Sequence, residues 1–294
     1  MKYKIQTYFL ILLFVFYRSI GCKQSDKVIS KPNLTQVTAI DRKNALGEIH
    51  YTLYFDLTGK DKFLGKAKIR FKLKLVKEIN LDFESGEISN LEINSIKKLN
   101  IPTSFKNNIT LPASNLKIRD NVVIVEYSKS YSRTGSGLHR FVDPEDRSVY
   151  FYTQFEAFHA NKVFPCFDQP DLKAVFKLKV KAPKDFTVIS STIPSISHDA
   201  SFSSFDFPES KIFSTYLFSI IAGPYSEWKS EYKNIPLRLF ARRSMAKYVK
   251  SEEWFQITKQ GFQFFEEYFS IPYPFGKYDQ IIVPEFNAGA MENV

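Results

Sequence analysis

Gly65–Leu75 reads GKAKIRFKLKL. Ala67, Ile69, Phe71, Leu73 and Leu75 fall on one side of a two-residue repeat, and Lys66, Lys68, Arg70, Lys72 and Lys74 on the other. Successive side chains of a strand point to opposite faces, so this pattern predicts a strand with one buried face and one solvated basic face. Upstream, Ile49–Leu57 repeats the alternation: Ile49, Tyr51, Leu53, Phe55 and Leu57 against His50, Thr52, Tyr54 and Asp56. TGKDK, Thr58–Lys62, is a turn between the two. Downstream, NVVIVEY near Val122, SVYFYTQF near Tyr150 and AVFKLKV from Ala174 read as further strands. Short strands separated by Asn, Gly, Pro and Asp clusters predict a mainly β fold, a large antiparallel saddle or sandwich over residues 42–235.

The period changes after Ser244. In SEEWFQITKQGFQFFEEYF, Ser251–Phe269, the residues Trp254, Ile257, Gly261, Phe264, Phe265 and Tyr268 form one helical stripe. Glu252 and Glu253 suit the first turn of such a helix, and Pro272 and Pro274 bar its continuation. QIIVPEF, Gln280–Phe286, then reads as a short buried strand. A helix followed by a strand departs from the preceding β pattern, so a boundary is placed near Asn234–Pro236, with a second domain over 236–294.

Composition narrows the function. The 294 residues are 44% apolar, 24% charged and 16% aromatic, enough for a globular core rich in pleated surface. The formal charge is +10. The lysines alternate with apolar residues instead of clustering with a nucleic-acid motif, so they read as a solvated strand face and no nucleic-acid partner is expected. Attraction to an anionic membrane surface is a weaker option. Cys22 and Cys166 make no disulfide framework and have no partner at metal-ligand spacing. Cys166, in FPCFDQP, reads as a packed core thiol.

The first residues, MKYKIQTYFLILLFVFYRSIGC, place Lys2 and Lys4 ahead of an apolar run from Tyr8 to Tyr17 and a small-residue region. That is the layout of an export signal over residues 1–21, with a run too short to span a bilayer comfortably. Gly21-Cys22 resembles a bacterial lipoprotein site, although Ser19 and Arg18 depart from its usual pattern. The expectation is a chain lipidated at Cys22 and held in the cell envelope through a tether over 22–41. The alternative is secretion or periplasmic release after ordinary cleavage.

Two stretches carry a family resemblance. PEFNAGAMEN, Pro284–Asn293, resembles the signature of the aminopeptidase N family of zinc exopeptidases, whose core here is Gly289-Ala290-Met291-Glu292-Asn293. Gly137–Val180 resembles a long segment of the same family's N-terminal domain, and YPFGKYDQIIVP joins the two in family order. The resemblance implies that 236–294 begins an α+β, thermolysin-like catalytic domain. It implies that Glu292 and Glu156 anchor a peptide's free ammonium, which a closed pocket must pair with carboxylates. Gln154 would shape the first side-chain pocket and Met291 would give it a soft apolar wall. Gly289 and Ala290 would let a substrate backbone pair with an exposed strand edge.

The family's zinc ligands lie in HExxH, followed by a further glutamate. None of His50, His139, His159 and His198 is followed by Glu or has a second His four residues on. His139 and His159 read as structural or surface residues. The expectation is an amino-terminal fragment of a zinc aminopeptidase that carries peptide-recognition residues, binds no zinc itself and is inactive alone. A second chain supplying the rest is one way to complete it. A surface-anchored module that binds peptide amino termini without catalysis is the alternative.

Overall fold

The computed structural model describes residues 34–97 and 108–294. The expected signal, residues 1–21, and Cys22 lie outside them. The body of the molecule is the unit Val37–Val294. In chain order it contains α1 (Gln36–Ala45), β1 (Leu46–Asp56), β2 (Lys62–Leu73), β3 (Ile79–Asp82), β4 (Glu87–Ile93), β5 (Ile96–Lys97), β6 (Asn108–Leu111) and β7 (Arg119–Ser130). There follow β8 (Gly137–Val142), β9 (Val149–Gln154), β10 (Ala174–Pro183), β11 (Thr187–Ile189), β12 (Ser195–His198), β13 (Phe202–Phe207) and β14 (Ile221–Gly223). The last elements are β15 (Tyr225–Tyr232), β16 (Ile235–Arg242), α2 (Ser251–Phe269) and β17 (Tyr278–Ile282).

The alternation in β1 and β2 is realised. Phe63, Ala67, Ile69, Phe71 and Leu73 are buried, while Lys66, Lys68 and Arg70 are exposed. Leu75 lies beyond the strand and is exposed. These strands sit in an eight-stranded sheet of order β12-β13-β10-β1-β2-β7-β4-β5. The sheet is antiparallel except where β1 pairs parallel with β10, Ile49 opposite Ala174 through Asp56 opposite Lys181. The antiparallel saddle or sandwich expected from the sequence is present, and this parallel pair is a feature within it that the sequence did not indicate. Local alternation gives a strand its faces and does not name its neighbour, and the long chain between β1 and β10 permits a parallel return.

Aromatic rings fill the inner face. Phe176 of β10 stacks with Tyr51 at 5.1 Å, Phe213 at 4.8 Å and Phe218 at 4.9 Å. Phe164 meets Tyr51, Phe55, Phe155 and Phe218 edge-on. A fully buried Phe contributes about 1.5–3 kcal/mol, which explains the aromatic bias. Tyr51 is not left with an orphan hydroxyl: it accepts the Phe167 amide at 2.9 Å. Gly65 has to be glycine, since a Cβ there would lie 2.2 Å from the Tyr127 ring. Cys166 is a buried free thiol, with burial pushing its pKa up.

The stretch expected as tether ends in helix. Arg42 of α1 is 7% exposed and makes a two-pronged pair with Asp82, at 2.6 and 3.0 Å. This fastens α1 to the end of β3.

A four-stranded sheet of order β11-β14-β9-β8 and a three-stranded sheet, β15-β16-β17, follow. The boundary placed near Asn234–Pro236 falls at the turn of the β15–β16 hairpin, so both hairpin strands share one sheet with β17. β16 and β17 are parallel, and α2 is the crossover that parallel strands require. The helix runs where it was expected, with Glu252 and Glu253 in its first turn. Its buried side differs from the expected stripe. Phe255 and Phe262 pack with Leu237, Leu239, Trp228 and Tyr278. Trp254, Ile257, Phe264, Phe265 and Tyr268 are exposed. The stripe reports where apolar residues lie on the helix, and among the described residues nothing covers that side.

Candidate functional site

The site is built on the hairpin of β8 and β9. Its pairing runs from Gly137 opposite Gln154 to Val142 opposite Val149. Beyond Gln154 the chain turns, burying Phe155 and exposing Glu156. Ile281 of β17 and, beyond the strand, Val283 and Phe286 pack with Tyr150 and Tyr152 of this hairpin and with Ile189, Ile221, Tyr225 and Phe240.

Three residues then dock. Glu285, Phe286 and Asn287 lie against β8, β9 and the turn ahead of β8. His139 of β8 is 1% exposed; its Nδ1 accepts the Gly135 amide at 3.1 Å, which places the ring proton on Nε2. Nε2–H then donates to Glu285 Oε2 at 3.1 Å. Burial holds the His139 pKa below the usual range, with the Glu285 carboxylate acting in the opposite direction. The Tyr152 hydroxyl donates to the Glu285 carbonyl at 3.0 Å. Burial, assisted by Glu285, pushes Tyr152 up to about 12, so it stays a donor. Phe286 meets the Tyr152 ring edge-on at 5.9 Å. Asn287 donates through Nδ2 to the Thr134 carbonyl at 2.8 Å. Gly135 makes room for it: its φ is +73°, and a Cβ would lie 2.3 Å from Asn287 Nδ2.

The far end of the motif is also held. Asn293 Nδ2 and the Val294 amide both donate to the Leu217 carbonyl, at 3.2 and 3.1 Å. Between the two anchors, Ala288, Gly289 and Ala290 are exposed, Met291 is half-buried and Glu292 is exposed. The expected strand is absent here: β17 ends at Ile282, and residues 283–294 are irregular. The glycine and two alanines of this stretch favour a loop over a strand. Gly289 has open space where a Cβ would be, so the loop leaves room for another chain to approach.

Gln154 ends β9 and Glu156 follows two residues on, while Glu292 lies in the loop just before Asn293. Ile221 pairs with Tyr152, and the Ile220 amide donates to Thr153 Oγ1 at 2.9 Å. Phe218 and Phe155 pack on the same Phe164 ring. Glu156 is one residue beyond Phe155, and Glu292 is one residue before Asn293, which is anchored on Leu217. Neither carboxylate has an ion-pair or hydrogen-bond partner among the described residues. The Gln154 Oε1 is buried without a partner. An unpaired exposed carboxylate can pair with a cation, and an unsatisfied amide oxygen can accept from an N–H donor.

Among the described residues, no three His, Cys, Asp or Glu side chains lie together so as to hold a metal ion. His139, Tyr152, Glu285 and Asn287 were not singled out as site residues by their sequence. His139 and Glu285 are 146 positions apart, and no local pattern links them.

The β body ends in an exposed loop held at both ends, and family comparison says what kind of chain carries it. Residues 48–217 match the Peptidase M1 N-terminal domain, and residues 254–294 match the Peptidase family M1 domain. The chain belongs to the M1 peptidase family. It is 38% identical over 270 residues to aminopeptidase N of Streptomyces lividans, covering 89% of this chain and 31% of that protein. It is 33% identical over 158 residues to aminopeptidase N of Oryctolagus cuniculus, covering 52% and 16%. It is 34% identical over 173 residues to tricorn protease-interacting factor F2 of Thermoplasma acidophilum, covering 59% and 21%. The chain thus spans a third or less of the relatives it matches. No helix among the described residues is long and apolar enough to cross a membrane.

Proposed function

We propose that this chain is the peptide-recognising portion of an M1 aminopeptidase. Glu292 and Glu156 pair the free ammonium of a peptide, Gln154 and Met291 border its first side chain, and the Gly289-Ala290 backbone lies along the peptide. The observation that carries the reading is the pairing of two partnerless, exposed carboxylates with a loop fixed at both ends and open between. A fixed loop does not have to be ordered when ligand binds, which lowers the entropic cost of recognition. The family's hydrolytic step uses zinc-activated water. No HExxH occurs in the sequence, so the chain by itself is proposed to bind peptides without cleaving them.

The exposed apolar side of α2 fits a role as the surface on which the rest of a peptidase domain packs, in the same polypeptide or a second one. Export and lipidation at Cys22 complete the proposal. A non-catalytic module on the cell surface would share the recognition site, and turnover separates the readings only once the rest of a peptidase is supplied.

Calorimetry with a short peptide amide and its N-acetylated counterpart tests the recognition step. The free amine binds at least tenfold more tightly, and Glu292→Ala removes the difference. Equal affinity for the two peptides overturns the reading. Amino-acid release by this chain alone, dependent on added zinc, overturns the binding-only part.

A further inference from the structure

We propose that His139 and Glu285 are positioning residues: the buried imidazole clamps the residue that enters the Gly289–Asn293 loop, and so fixes the pose in which Glu292 meets a peptide amino terminus. The inference rests on the recognition reading above for its purpose, while the clamp itself stands on geometry.

Glu285 has a φ of +52°, in the left-handed region that favours glycine. A non-glycine residue there is strained and persists only when its surroundings hold it. Those surroundings are present. Tyr152 fixes the Glu285 carbonyl and His139 fixes its carboxylate. The side chain of Glu285 is 61% exposed while that of His139 is 1% exposed, so the two partners need each other unequally. A solvated carboxylate can find water. A buried Nε2–H without an acceptor is costly, and that cost draws Glu285 inward.

The two ring nitrogens face two loops rather than two strands. Nδ1 takes the Gly135 amide in the turn ahead of β8, and Nε2 reaches Glu285. The same turn offers Thr134 to Asn287. One imidazole therefore sets the turn and the loop entry relative to each other. The charged or titratable groups facing it are Glu285 and, from β9, Tyr152, whose ring lies 4.9 Å away. A purely structural histidine would bond within its own sheet, and moving it would not alter residues 288–292 selectively.

The test uses the full chain with Glu285→Ala, Glu285→Gln and His139→Phe. Glu285 is exposed, so its variants fold even if the histidine variant does not. In Glu285→Ala, backbone order parameters at residues 288–292 fall while those of β8 and β9 stay at wild-type values, and affinity for the free-amine peptide falls about fivefold. Glu285→Gln keeps an acceptor, stays within twofold of wild type in affinity and keeps the wild-type order parameters. Unchanged order parameters at 288–292 in Glu285→Ala overturn the clamp, whatever the peptide does. Lower order parameters in a protein that never distinguishes free from acetylated peptide keep the clamp and overturn the recognition reading.

Discussion

Lys129 shows how much a single side chain can cost this fold. It leaves β7 to donate to the Glu84 carbonyl, and its ammonium lies 5.0 Å from the centre of the Phe83 ring. It lines a cleft of about 380 Å³ with Lys162, Ser132 and Ser136. Burial pulls its pKa down to about 8; Glu84 acts against that and Lys162 adds to it. An exposed lysine titrates at 10.5, and each pH unit of difference is worth about 1.4 kcal/mol, so the charged form is destabilised in the fold by about 3 kcal/mol. Between pH 8 and 10.5 the unfolded chain holds the proton that the native state has lost, so stability rises with pH in that window. Below pH 8 both states are charged and the whole penalty applies. Lys129→Met removes the penalty and one hydrogen bond. It is expected to gain about 1–2 kcal/mol at pH 7 in urea titrations and to flatten the rise between pH 8 and 10. A variant that loses stability at pH 7, or keeps the wild-type slope, contradicts the assignment. The two-residue repeat of β7 puts Lys129 on the side of Val123, Val125 and Tyr127, opposite buried Phe63, and not on the solvated side that carries Lys66 and Lys68.

At the scale of elements, α2 offers the sharpest contrast. Two faces of the helix carry aromatic residues, and only one meets the β15-β16-β17 sheet. Phe255→Ala is expected to cost about 3 kcal/mol, since it leaves a cavity against Leu237 and Leu239. Phe264→Ser and Phe265→Ser together are expected to change stability by less than about 1 kcal/mol, because both rings are more than half exposed. Denaturant midpoints of the two variants decide it, and the reverse order would restore the stripe first read from the sequence. Strand positions were legible because a strand with one buried face must alternate. The helix position was legible from its period. Its buried side was not, since a periodic stripe identifies an apolar face without saying which residues of the chain cover it. The same limit hid the parallel β1–β10 pairing. In the site, the GAMEN motif located the loop, while its docking through His139 and Tyr152 joins residues more than a hundred positions apart and leaves no local trace.

For the whole molecule, the question is what the proposed lipidation of Cys22 does for attachment. The Arg42–Asp82 pair ties α1 to the end of β3. Thirteen residues, Lys23–Thr35, separate Cys22 from α1 in the sequence. One acyl chain alone gives marginal, reversible attachment, so a stable anchor needs a further chain or a basic surface, and the chain after Cys22 keeps a net positive charge even without Lys2, Lys4 and Arg18, which helps toward an anionic bilayer. Expressed in a bacterium that processes lipoproteins, the protein should take up labelled fatty acid and sediment with membranes at low and at high salt. Cys22→Ser should abolish the label and release the protein into the soluble fraction, since electrostatic attraction alone is screened at high salt. Wild-type protein that stays unlabelled and leaves the membrane at high salt would make the charge, and not Cys22, the basis of any attachment.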